Sequence, residues 1–352
     1  MSGPGLADVE LNRKAQPALD RTSTRQRTED APKAIWVTWE RHRRTHELCR
    51  SLGVELFELT SSSSAIIRYP YLMFETFLCL ARQRPALLFI QCPSVLLGLW
   101  AGFLKYVFGY QLIADLHNEA IEPFNCSAPW YRALVGQIRR MADLSLVSND
   151  FLKAVVDGTG GRAFVLPDTI PAISSARDGA AVTAARPQVV FVCTYAPDEP
   201  YLEVIEAVRL MGPSLTLHVT GDHRRLKPAA PLPSHVHLTG YVSEPEYQQL
   251  LREADVIVDL TRMENCLVCG AYEAVALEKP LVTSDTRALR NHFRLGTVYS
   301  GHDPQSLAES IAYALTHKDA LAAEMKTLKR ELIDQWAHQR EALRDILNLE
   351  VP

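Results

Sequence analysis

From position 34 onward, short apolar runs alternate with longer segments in which apolar residues recur every three or four positions. The runs at 34–38, 55–59, 87–91, 111–115, 144–147 and 163–166 are continuous and bounded by polar residues, the pattern of strands buried on both faces. Between them, 45–52, 69–82, 94–108, 130–140 and 149–157 carry helical spacing. Strand and helix in strict alternation predict parallel, right-handed βαβ units. The pattern pauses over 173–187, rich in Ser, Ala, Arg, Asp, Gly and Thr, which is linker composition. It then restarts, with strands predicted at 189–193, 215–220, 236–238, 256–259, 281–283 and 297–299 and helices at 201–210, 244–253, 270–277 and 304–316.

Beyond the second set, Leu321, Met325, Leu328, Leu332 and Trp336 share one helical face against Lys, Glu and Arg. This predicts an amphipathic helix that packs back across the preceding domains. Residues 1–33 lack apolar periodicity and read as a disordered extension. The expected organisation is thus extension 1–33, a Rossmann-like domain 34–172, linker 173–187, a second Rossmann-like domain 188–316, and a closing helical segment 317–352. The fold class is α/β, two doubly wound domains facing across a cleft.

Composition narrows the partners. The chain has 352 residues, 47% hydrophobic, with a net charge of −4 from 37 Lys+Arg against 41 Asp+Glu. It can bury sizeable cores, and it lacks the positive field that nonspecific nucleic-acid binding requires. Seven cysteines at 49, 79, 92, 126, 193, 266 and 269 form no disulfide or zinc framework, and they point to a reducing cytoplasm. Cys266 and Cys269 have no second close pair to complete a zinc site, so no metal is expected. Charges at Asp8, Glu10, Arg13 and Lys14 argue against a cleaved leader, and the apolar stretch 95–104 is too short to span a bilayer.

Open α/β sheets bind ligands outside the carboxyl ends of their strands, so the loops after strands hold the candidate chemistry. After 256–259 come Arg262 and Glu264, then a helix start with Cys269, Gly270 and Glu273. Free N–H groups at such a start suit a diphosphate or a sugar hydroxyl. Carboxylates accept hydrogen bonds from vicinal hydroxyls, so Glu273 suits a ribose and Glu264 a hexose. In the first half, Asp115-Leu116-His117-Asn118 closes a strand, and a histidine there can bond a sugar or stabilise developing charge. Arg41, His42, Arg43 and Arg44 precede a helix. Cations at a helix N-terminus oppose its dipole, which implies an anion nearby. Aromatic residues over 69–77 and 100–108, with Arg68, Arg82, Arg84 and Lys105, fit either core packing or peripheral membrane contact.

Glu273-Ala274-Val275-Ala276-Leu277-Glu278-Lys279-Pro280, followed by a short strand and Asp285, resembles the signature of retaining GT-B glycosyltransferases of the group 1, or family four, type. The sequence departs from it at Glu278, where the family usually has Gly, and in the eight residues between Glu264 and Glu273, where the family has seven. Thr220-Gly221-Asp222 resembles the family's Gly-x-Gly turn, Gly240-Tyr241 its base-reading loop, and His117-Asn118 its His-Asp. The resemblance implies a GT-B fold and sugar transfer from a UDP- or GDP-linked donor to a glycan, lipid-linked or small-molecule acceptor, without cofactor or metal. It implies His117 and Glu264 at the reacting centre; Glu273, Gly270, Cys269, Gly221, Tyr241, Thr194 and Arg262 around the donor; and Arg41, Arg43, Arg44 and Asn118 around the acceptor.

Where the family supplies Arg and, five residues on, Lys to the leaving diphosphate, this chain has Thr194 and Glu199. The stabilising charge is expected instead from Arg262, Arg224, Arg225 or the helix start at Gly270. The wording around His117 and Asp198-Glu199-Pro200 also resembles the inverting mannosyltransferase of the dolichol pathway, so the stereochemical outcome stays open. Two other readings stand beside transfer: a sugar-nucleotide epimerase on the same fold, and a non-catalytic relative that binds a partner or glycan.

Overall fold

The structure is a computed structural model that describes residues 33–92, 94–121, 128–173, 186–226 and 231–349. The expected extension, apart from Lys33, and most of the expected linker lie outside the described residues. The first lobe is a six-stranded parallel sheet in the order β2-β1-β3-β4-β5-β6. Its strands are β1 Ala34–Thr38, β2 Glu55–Glu58, β3 Leu87–Cys92, β4 Gln111–Leu116, β5 Leu144–Val147 and β6 Ala163–Val165, and its helices α1 Arg43–Leu52, α2 Ala65–Gln83, α3 Val95–Phe108, α4 Pro129–Met141 and α5 Asp150–Gly158. The second lobe has the order β12-β11-β10-β7-β8-β9. It comprises β7 Gln188–Phe191, β8 Thr216–Thr220, β9 Val236–Gly240, β10 Val256–Asp259, β11 Leu281–Ser284 and β12 Thr297–Ser300, with α6 Tyr201–Met211, α7 Glu244–Glu253, α8 Cys269–Leu277, α9 Arg287–His292 and α10 Pro304–Thr316. A long helix, α11 Lys318–Leu347, ends the described chain.

The strands behave as their composition requires. Every residue of β3 is buried, because helices cover both faces of a parallel sheet. Right-handed crossovers put α1, which leads from β1 out to β2, on one face and the helices leading the other way on the opposite face. Two cores follow in the first lobe. Trp36, Leu48 and Leu52 form one with α1, while Leu72, Leu80, Leu97, Leu104 and Ile138 form the other beneath α2, α3 and α4. Helix starts are set by side chains: Ser94, Asn149, Thr286 and Asp303 each accept from a first-turn N–H, and Ser243 with Glu246 forms a capping box on α7. Six-residue α9 is too short to show a period, and sequence pattern does not reveal it.

Helix α11 spans both lobes. Met325, Leu328 and Leu332 enter a core of the second lobe, Leu343 and Leu347 enter a core of the first, and the Trp336 indole donates to the Pro167 carbonyl at 3.0 Å. Among the described residues no helix is long and apolar enough to cross a membrane.

His292, at the end of α9, meets Phe293 edge-on at 4.7 Å and packs against Tyr272. With Asn149 of the first lobe and Gln335 and Gln339 of α11, it lines a small polar cavity. Its Nε2 has no hydrogen-bond partner, and burial lowers its pKa from 6.5 to about 4. The folded ring therefore refuses a proton that the unfolded ring accepts. Its neutral state supports the fold above pH 6.5, and that support is lost as pH falls toward 4.

Two predictions follow from these contacts. α8 ends in the left-handed region at Glu278, φ 56°, where its half-exposed pairing with Lys329 at 3.1 Å offsets part of the strain. Relief of about 1–2 kcal/mol, less about 0.4–1 kcal/mol of added unfolded-chain entropy, makes Glu278→Gly stabilising by about 0.5–1 kcal/mol in urea unfolding. Comparing unfolding at neutral and mildly acid pH, His292→Phe should lose less stability than the parent, with a difference of up to about 3 kcal/mol.

Candidate functional site

Residues just past the strand ends of one lobe meet those of the other. The Asn149 amide, after β5, donates to the Asn265 carbonyl, after β10, at 2.9 Å. Asn118, after β4, lies beside the Cys266 thiol, after β10, and opposes the rise that burial gives its pKa. Arg43, at the first residue of α1, donates from Nη1 to Glu273 Oε1 at 3.3 Å. These contacts define one interlobe face, where a doubly wound fold presents its ligand sites.

On the first-lobe side the organising group is Arg44. Only 8% exposed, it donates to Asp115 at 2.9 Å and to Asp168 at 2.5 Å, and to the Leu166 carbonyl at 2.7 Å. Burial alone would raise Asp168, but the charge and hydrogen bond of Arg44 outweigh it and hold the carboxyl below its ordinary range. Arg44 was expected to meet the acceptor, and the structure corrects this: its guanidinium is spent inside the lobe. Arg41, on the loop that leads into α1, is exposed.

His117 sits against this triad, with Nε2 3.8 Å from Asp115, and that nitrogen has no hydrogen-bond partner. His42 meets it edge to face at 4.5 Å. Burial lowers the His117 pKa, against the raising effect of Asp115, so the ring is neutral at neutral pH.

On the second-lobe side Glu273 is buried in the first turns of α8. One carboxylate oxygen accepts from Arg43 and the other from the Tyr247 hydroxyl on α7. Burial raises its pKa, and these two partners pull it back only in part. Arg43, expected with the acceptor set, thus lies on the residue expected to hold the donor. Cys269 opens α8 and is exposed. The Gly270 N–H, expected to be open to a phosphate, is taken by Asp259 Oδ2 at 2.6 Å. A Cβ at Gly270 would lie 2.6 Å from that oxygen and 2.8 Å from Val192, so glycine is required there. Burial, with Glu199 and Glu273 near, pushes Asp259 well above the carboxylate range.

The turn after β7 is acidic where a cation would serve a diphosphate. The Glu199 carboxylate accepts from the Thr194 and Ala196 N–H groups, each at 2.9 Å, and from the Thr194 hydroxyl at 2.8 Å. It fills a backbone nest of the kind that otherwise takes an anion. Arg262, expected to replace the missing clamp, pairs with Glu203 at 2.6 Å, and Arg224 pairs with Asp222; the Arg225 side chain lies outside the described residues. Gly221, φ 90°, passes so close to the Cys193 carbonyl that a Cβ would lie 2.2 Å from it. Tyr241 is 84% exposed.

Glu264 is half-exposed and held by Arg287 at the start of α9. Leaving seven residues between the pair leads from Glu273 instead to Asn265, the residue that Asn149 holds. Three residues of the site escaped the sequence reading. Asp168 had a signal, an acid directly after the Leu166-Pro167 strand end; Asp259 stood in view as a strand-end carboxylate; Tyr247 had none.

Residues 186–317 match the sequence model described as glycosyl transferases group 1. No curated protein matches the chain. Anabaena HepE, solved with UDP and glucose, superposes with a TM-score of 0.70 over 90% of this chain and 99% of its own, at 12% identity. Sucrose-phosphate synthase from Thermosynechococcus elongatus gives 0.67 over 84% and 83%, at 16% identity. A Listeria monocytogenes protein described as a UDP-N-acetylglucosamine 2-epimerase gives 0.54 over 83% and 90%, at 15% identity. At such identities the structural likeness is one of fold. The two lobes have the GT-B fold, and the segment that matches group 1 glycosyl transferases, residues 186–317, lies in the second.

Proposed function

We propose that the chain transfers a sugar from a UDP- or GDP-linked donor to a hydroxyl of a glycan, lipid-linked or small-molecule acceptor, with anomeric configuration retained and no metal ion required. The observation that carries the reading is the contact of Glu273 with Arg43 across the interlobe face, where a buried carboxylate and an opposed cation suit the two ends of a nucleoside diphosphate. Location in the cytoplasm is part of the proposal, supported by the free thiols of all described cysteines.

In this reading the ribose diol takes the Glu273 oxygens and displaces Arg43. The guanidinium, still held through Nε by Glu47 at 3.1 Å, then turns Nη1 to the leaving diphosphate, supplying charge that Thr194 and Glu199 do not. Neutral His117 offers its unpartnered Nε2 to the transferred sugar. The bond from the anomeric carbon to the phosphate oxygen breaks as the acceptor oxygen bonds on the same face, and the acceptor proton passes to the departing phosphate. Glu264 serves a sugar hydroxyl after leaving Arg287. Cys269, Gly221, Tyr241 and Arg262 surround the donor, and Arg41 and Asn118 the acceptor.

The nest filled by Glu199 favours a second reading, a non-catalytic relative. Calorimetry with UDP and GDP separates the two: transfer requires one of them to bind, and silence from both favours the second. An epimerase would turn over the donor with no acceptor present. Glu273→Ala should cut donor turnover by at least about a hundred-fold with an unchanged circular dichroism spectrum; full activity would refute the site. Proton NMR of the first-formed product, in EDTA, should show the donor's own anomeric configuration at an unreduced rate.

A further inference from the structure

Among the described residues sixteen large apolar side chains are exposed, and ten of them lie on α2, α3 and α4. These helices cover one face of the first sheet side by side. α3 packs on α4 closely enough that a Cβ at Gly98 would strike Ile138, and the Trp100 indole of α3 donates to the Met73 carbonyl of α2 at 2.9 Å. With their inner sides buried in the core, their outer sides carry the exposed stripes. Phe74, Phe103 and Tyr106 are 57%, 56% and 81% exposed. Isolated exposed apolar residues are ordinary; a contiguous set over three helices marks a binding surface.

The charge on these helices identifies what it binds. With Arg139 buried and Lys105 paired with Asp143 at 2.7 Å, Arg68, Arg82, Arg132 and Arg140 remain at their surface against Glu75, in a chain whose net charge is −4. Arg82, Arg132 and Arg140 stand exposed beside the apolar stripes. Apolar residues flanked by cations match a bilayer with anionic headgroups, which accepts the rings and attracts the guanidinium groups. A second copy of the chain fits less well, since a two-fold contact sets this cationic face against itself.

Topology gives the surface a direction. In a parallel sheet the helices start at the strands' carboxyl ends. The first turns of α2, α3 and α4, with Ile66, Leu96 and Trp130, therefore lie on the edge that bears His117 and Arg43. We propose that the outer face of α2, α3 and α4 rests on an anionic lipid bilayer. The corollary, that the acceptor is carried by that membrane, rests on the transfer reading above.

The test is co-sedimentation of the full chain with phosphatidylcholine vesicles, with and without phosphatidylglycerol, alongside calorimetry with UDP and GDP. Pelleting should require phosphatidylglycerol and fall with salt. Phe74→Asp with Phe103→Asp should weaken partitioning about ten-fold or more, while the thermal midpoint and UDP binding stay unchanged. Arg82→Glu with Arg132→Glu should remove the preference for phosphatidylglycerol. The proposal is overturned if the parent chain ignores anionic vesicles, if the variants pellet as well as the parent, or if the parent sediments as a dimer that the Phe pair converts to monomer. Vesicle binding without binding of either UDP or GDP would sink the transfer reading and leave the surface standing.

Discussion

One buried guanidinium organises the first lobe's half of the site. Arg44 joins α1 to the end of β4 through Asp115 and to the chain after β6 through Asp168 and Leu166. Two carboxylates and a carbonyl satisfy its donors, so charge out of water is compensated; removing one member of such a set typically costs about 3–5 kcal/mol. Its fixed position decides where its neighbours go. Arg43 precedes it and is turned outward to Glu273, and His117 follows Asp115 by two residues on the same strand end.

Much of the architecture was legible because parallel strands under helices on both faces must be apolar throughout, and helices over them must be apolar on one side. The strand positions around Val256 and Leu281 and the face from Leu321 to Trp336 are direct readings of that constraint. The site was less legible. Arg43 and Arg44 are adjacent and chemically alike, yet a turn of about 100° between successive helical residues sends one across the lobes and the other into the core. Sequence shows that a cation cluster exists; it does not show which member has partners waiting. Glu199 could be read as a departure from the family, but not as a carboxylate seated on backbone N–H groups, since that depends on the turn's fold. Tyr247 reaches Glu273 from a helix whose own pattern speaks only of capping.

Glu273 shows how the two lobes share one group. Arg43 comes from the first lobe and Tyr247 from the second, so the carboxylate's surroundings change whenever the lobes separate. Burial disfavours its charge and both partners favour it.

The span of α11 bears on how the polypeptide is made. Leu343 and Leu347 complete a core with Trp36, Leu48 and Leu52, some three hundred residues earlier. On the ribosome that core stays open until the terminal turns emerge, long after its own strands have left the exit tunnel. The lobe synthesised first is therefore the one finished last.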